Sequence, residues 1–204
     1  MQFKYYDTLS ALISGMVLLF ILTLAAEWDI SNVNVVILLA IAFVIGYLLN
    51  AVSAVAEPIF FWFMGGKPSN RLLTKPKPNC KGKAPKYTGF CRIRFYEYEE
   101  VIRLLKDELK DDTAEPEQMF DKAKTYAIAN DKTRVSDFNA HYAFSRVILT
   151  LMIISTAVLM PLYYDKWWAW LIAVGVILLS GVRCKERGYY YAREILVEYL
   201  KEKR

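Results

Sequence analysis

Residues 32–56 read NVNVVILLAIAFVIGYLLNAVSAVA, a run without an acid or a base until Glu57 ends it. A helix needs about 20 apolar residues to cross the hydrocarbon of a bilayer, and this run is long enough. Three more charge-free runs occupy residues 8–26, 147–164 and 167–182. The last is short, but Arg183 can snorkel, and Trp167, Trp168 and Trp170 suit the headgroup level. A soluble bundle with unusually apolar core helices is the alternative, and four uncharged runs of this length are rare in such bundles. The first run could be a secretory signal with Lys4 as its basic end. It is longer than a typical signal core, so a retained anchor is expected.

The expected fold is therefore mainly α, with four transmembrane helices. Residues 1–64 form one hairpin, with spans at about 8–26 and 33–56. Residues 65–141 form a cytoplasmic basic linker plus a small helical domain. Residues 142–185 form a second hairpin, and 186–204 a cytoplasmic C-terminal helix. Cation counts set the orientation. The connection 27–34 has two acids and no Lys or Arg, whereas 65–141 holds sixteen cations and the tail after Val182 holds seven. Positive charge stays inside, so both termini and the middle segment are expected in the cytoplasm of a bacterial inner membrane. The net charge of +5 sums this bias. Cys80, Cys91 and Cys184 then lie in a reducing compartment, without zinc spacing, and read as free thiols.

In the second span, Gly46, Asn50, Ser53 and Glu57 are spaced four, three and four, which places them on one helical face. Such a face packs against another helix, with Gly permitting close approach and Asn or Ser hydrogen-bonding across it. The other reading is a pore lining or an ion site at Glu57. The packing reading is preferred because Glu57 sits at the membrane edge.

Residues 58–96 hold nine Lys and Arg and no acid. At their centre, residues 75–86 read KPKPNCKGKAPK, an extended or flexible linker. Topology alone explains much of this charge. The surplus makes Lys75, Lys77, Lys81, Lys83, Lys86, Arg92 and Arg94 candidates for contact with anionic lipid or an acidic partner. Direct nucleic-acid binding, with the aromatics Tyr87, Phe90, Phe95 and Tyr96 following closely, is less favoured. Alternation over residues 90–95 suggests a short strand, which would make the layer α+β. Tyr98, Val101, Ile102, Leu105 and Leu109 form a helical stripe, and Met119, Phe120, Ala123, Tyr126 and Ala127 form another. Thr113 is the expected N-cap of that second helix, and Ser136 of a third that continues into the membrane. Residues 97–137 carry twelve acids against seven cations, so the basic and acidic halves can attract one another.

With one histidine and no phosphate loop, metal-spaced cluster or nucleophile elbow, the chain offers no catalytic, cofactor-binding or metal-ligating residue. It reads as a non-enzyme. Arg134 and His141 resemble the loose Arg-x4-6-His signature of HEPN ribonucleases, which leaves a membrane-associated RNase as a distant alternative. The segments NAVSAVAEPIFFWFMGGKPSNRLL (50–73) and DFNAHYAFSRVIL (137–149) resemble parts of small bacterial four-span membrane proteins, some of them in anti-phage systems. Membrane subunits of the Kiwa system are similar in size, span count and plan. That resemblance implies an inner-membrane sensor that oligomerises and works with a cytosolic nucleic-acid-binding partner, and it carries no functional residue across. The expected function is a non-catalytic membrane subunit in contact with lipid, with copies of itself and with a cytosolic protein. A pore-forming, membrane-depolarising effector is the alternative.

Overall fold

The computed structural model describes residues 5–63, 65–74, 95–129 and 134–204. Among these residues are seven α-helices, in order α1 (Tyr5–Ala25), α2 (Val35–Phe63), α3 (Pro68–Leu73), α4 (Tyr98–Leu109), α5 (Pro116–Ala129), α6 (Arg134–Leu159) and α7 (Trp167–Lys203). A 3-10 turn, Met160–Leu162, follows α6. No strand occurs among the described residues, and the fold is mainly α. α1, α2, α6 and α7 are long and apolar enough to cross a membrane. The linker at 75–94, with the strand expected over 90–95 apart from Phe95, lies outside the described residues.

Local chemistry sets the helix ends. Glu27 takes the left-handed conformation (φ 55°), and the Trp28 N–H donates to the Thr23 carbonyl at 3.0 Å, closing α1. The Asn34 side chain accepts from the Val36 N–H at 2.8 Å and starts α2. α2 continues through Pro58 to Phe63, where Gly65 and Gly66 supply positive φ and the Gly66 N–H reaches the Phe61 carbonyl at 2.8 Å.

Three sequence expectations are corrected. Thr113 does not cap α5, because its hydroxyl donates to Asp111 at 2.7 Å and Pro116 opens the helix. Ser136 does not start α6, which is already helical at Arg134. The C-terminal helix is not separate from the fourth apolar run: both belong to α7, because the charges beginning at Arg183 change the face chemistry without breaking the helix.

The chain divides into two compact units. One comprises Met1–Phe60 and Ala143–Cys184, the other Phe61–Tyr142 and Lys185–Arg204. The first unit is packed with small side chains inward. A Cβ built on Gly15 would lie 1.7 Å from the Ala42 carbonyl oxygen, and one on Gly46 would lie 1.8 Å from that of Ala11. No side chain fits at either position, and the α1 and α2 backbones touch there. Ser14, Ala42, Leu49 and Ser53 are buried along the same seam. Leu18, Leu49, Val147 and Leu151 extend it toward α6. The large aliphatics Val44, Leu48, Val55, Leu171, Leu178 and Leu179 point outward. A water-soluble core has the reverse arrangement, and soluble monomers rarely expose apolar patches beyond a few hundred Å². Lipid removes the gain from burying large side chains, so close backbone packing takes its place.

The second unit has a conventional core. Leu72, Phe95, Val101, Leu105, Tyr189, Ile195, Leu196 and Tyr199 are almost wholly buried, and Glu99, Arg103, Asp107 and Lys110 cover the outer side of α4. Gly188 lets α7 pass close to its neighbours, since a Cβ there would be 3.1 Å from Pro68 and 3.2 Å from Tyr142. Glu108 ties three elements together. Its carboxylate accepts from the hydroxyls of Tyr126 and, at 2.7 Å, Tyr199, while Lys203 and Lys122 approach at 3.4 and 3.7 Å. Burial would raise its pKa, but the two tyrosine hydrogen bonds and the Lys203 charge outweigh it and hold the carboxyl below the usual glutamate range.

Gly46→Val forces the α1–α2 seam apart and lowers unfolding stability in detergent by about 2–3 kcal/mol, measured by denaturant titration. Glu108 binds its proton less readily folded than unfolded, so its stabilisation is full above the ordinary glutamate range and is lost as pH falls through the lowered value. Amide exchange in α4 and α5 should therefore accelerate on acidification, and Glu108→Gln should remove most of that pH dependence at a cost of about 1–3 kcal/mol near neutrality.

Candidate functional site

Glu57 lies one turn beyond the buried Ser53 on α2, and Arg146 lies at the start of the apolar stretch of α6. Within the first unit their side chains form an ion pair, Arg146 Nη1 donating to Glu57 Oε2, with Arg146 13% and Glu57 30% exposed. The Thr150 hydroxyl donates to the Arg146 carbonyl at 3.1 Å. Cys184 on α7 is buried within electrostatic range of both charges. Three apolar helices thus meet at one neutralised pair and a buried thiol. Ionisable groups in such helices are paired because an isolated charge there is expensive. The pair joins α2 to α6 and balances its own charge, so its chemistry is that of a clasp.

The four residues expected on one α2 face do not share it equally. Gly46 and Ser53 are buried, Glu57 is half-buried, and Asn50 is exposed on the outward side beside Tyr47. Leu49 takes the inward place between Gly46 and Ser53. The Ser53 hydroxyl donates to the Asn50 carbonyl of its own helix at 2.7 Å rather than across the seam. Of the basic candidates, Lys75, Lys77, Lys81, Lys83, Lys86, Arg92 and Arg94 lie outside the described residues, as do Cys80 and Cys91. Within the second unit, Lys67 pairs with Glu117, an attraction between the basic and acidic parts of the middle segment.

Arg134 and His141 both lie on α6, about two turns apart. Arg134 Nε is 3.0 Å from Glu194, a carboxylate only 4% exposed, and His141 is exposed. Arg134 therefore serves as the counter-ion of a buried acid.

Sequence reasoning missed Arg146 as the partner of Glu57, although a signal was present. Glu57 closes one charge-free run and Arg146 immediately precedes another, so two spans of opposite direction bring both to one level. It also missed Glu108, whose role depends on tyrosines from two other helices.

The architecture defines a four-span helical membrane protein with a second, polar-surfaced helical unit. Comparison with protein-family models, curated proteins and solved structures finds no match to this chain.

Removing either member of the ion pair strands the other. Glu57→Ala and Arg146→Ala should each cost about 3 kcal/mol, the lower end for a buried pair because Glu57 is partly exposed. The exchange Glu57→Arg with Arg146→Glu should recover most of that loss in the same detergent titration.

Proposed function

We propose that the chain is a non-catalytic subunit of a bacterial inner membrane, with both termini and the polar helical unit in the cytoplasm. It assembles with copies of itself and holds a cytosolic protein at the membrane. Sensing membrane disturbance in an anti-phage system is the setting that its resemblances favour. The carrying observation is the contrast between the two units: one exposes large aliphatics, and the other, built between the second and third spans and completed by the end of α7, has its own core and a charged exterior. The cation counts support the cytoplasmic orientation of that second unit.

Asn50 supports self-association. A carboxamide on the outward face of a membrane helix gains a partner when a second copy packs against it. The surplus of lysines at 75–86, beyond what topology needs, supports docking of an acidic partner surface. Pairing of Glu57 with Arg146 favours this reading over a conducting pore, since it removes the free carboxylate an ion path would use.

Exchanging Lys75, Lys77, Lys81, Lys83 and Lys86 together for glutamine should abolish co-purification of the cytosolic partner in mild detergent while leaving membrane insertion intact. Undiminished partner recovery from that variant would overturn the docking role.

A further inference from the structure

The first unit contains a cavity of about 300 Å³ among α1, α6 and α7, next to the 3-10 turn that follows α6. Its walls are almost wholly apolar, with Ile21, Met152, Leu159, Ala173 and Val176 among them. Tyr163 and Trp168 stand at the end where the chain turns between α6 and α7, and both are partly exposed. Aromatic residues of this kind mark the membrane–water boundary.

Ser155, Thr156, Tyr163 and Trp168 bring polar groups to the lining, and of these Ser155 is the buried one. Ser155 is 7% exposed, and its hydroxyl has no hydrogen-bond partner among the described residues. Other buried hydroxyls of the same unit behave differently. Those of Ser14, Thr23, Ser53 and Thr150 each donate to a carbonyl three or four residues earlier in their own helix, at 2.7 to 3.1 Å. A buried hydroxyl left without a partner is costly, and this one borders the cavity.

We infer that this cavity is a lipid site: it holds an acyl chain of a membrane phospholipid, whose ester carbonyl accepts a hydrogen bond from Ser155. Three observations select that occupant. Walls this predominantly apolar are a poor site for water, which needs two to four polar partners. An empty space of this size would forfeit van der Waals contact along its whole lining. Its lining reaches Tyr163 and Trp168, aromatics of the kind that mark the membrane boundary, and the ester groups of a bilayer lie just inside the headgroups. Ser155 is one helical turn inward from Leu159 at the end of α6, about 6 Å along the axis, so a carbonyl at that boundary comes within reach while its chain runs down toward Val176.

The test uses the full chain in nanodiscs containing a phospholipid with a photoreactive diazirine on one acyl chain, in diester and diether forms. With the diester, labelling should concentrate on Met152, Leu159, Ile172 and Val176. Ala173→Phe, which fills the space, should reduce that labelling about tenfold. Ser155→Ala should reduce it by roughly three- to tenfold, the value of one hydrogen bond, with the diester only, because the ether has no carbonyl. An unchanged unfolding midpoint for Ser155→Ala separates this from misfolding. Labelling spread evenly over Val52, Val55 and Leu178 and indifferent to Ala173→Phe would overturn the site. Equal effects of Ser155→Ala on diester and diether would overturn the carbonyl hydrogen bond.

Discussion

Contact between the α1 and α2 backbones at Gly15 and Gly46 is the constraint on which the first unit depends. A methyl group at either position would lie within 2 Å of a carbonyl oxygen of the facing helix. In water, helices associate by burying large apolar side chains. In hydrocarbon that gain vanishes, and dispersion between closely spaced backbones replaces it. Small side chains therefore turn inward and large ones outward, as Ala42 and Ser53 on one side of α2 and Val44, Leu48 and Val55 on the other illustrate. Ser14, Ser53 and Thr150 satisfy their buried hydroxyls on their own helices. The Glu57–Arg146 pair obeys the same constraint, since two charges can stay in an apolar neighbourhood only together.

The second unit answers a different solvent. Its core is built of Leu, Ile, Val, Met, Ala and Tyr from α3, α4, α5, the start of α6 and the end of α7, together with Phe95, and charge lies on the outside. Glu108 shows how such a unit gains specificity. Two tyrosines and two lysines from α5 and α7 converge on one carboxylate, and Tyr126 and Tyr199 also meet edge to face at 5.7 Å. Arg204 near the chain end adds a further tie, to Glu100 at 2.6 Å. One chain thus carries two packing rules, each suited to the medium its surface is made for.

The four spans were legible because the bilayer excludes charge, and charge-free runs can be read directly from the residues. The α4 and α5 stripes were legible because periodicity survives without knowledge of the partner; Val101, Leu105, Met119 and Ala123 are all buried. The inward face of α2 was only half legible. Spacing of four and three admits Gly46–Leu49–Ser53 as well as Gly46–Asn50–Ser53, and only the shape of α1 selects the former. Continuity of α7 was hidden because the onset of charge at Arg183 looks like a boundary, although no residue there breaks a helix. Pairing of Glu57 with Arg146, 89 positions apart, is a tertiary fact with only a level-matching signal in the sequence.

Inward-facing small residues and outward-facing large ones can be measured directly by site-directed spin labelling of a cysteine-free variant in liposomes. Nitroxides at Leu48 and Leu178 should be open to molecular oxygen and closed to a water-soluble nickel chelate. Nitroxides at Ala42 and Ser53 should be closed to both, or should prevent assembly. Access of the nickel chelate to Leu48 or Leu178 would contradict a membrane-spanning unit, and oxygen access at a folded Ala42 variant equal to that at Leu48 would contradict the seam.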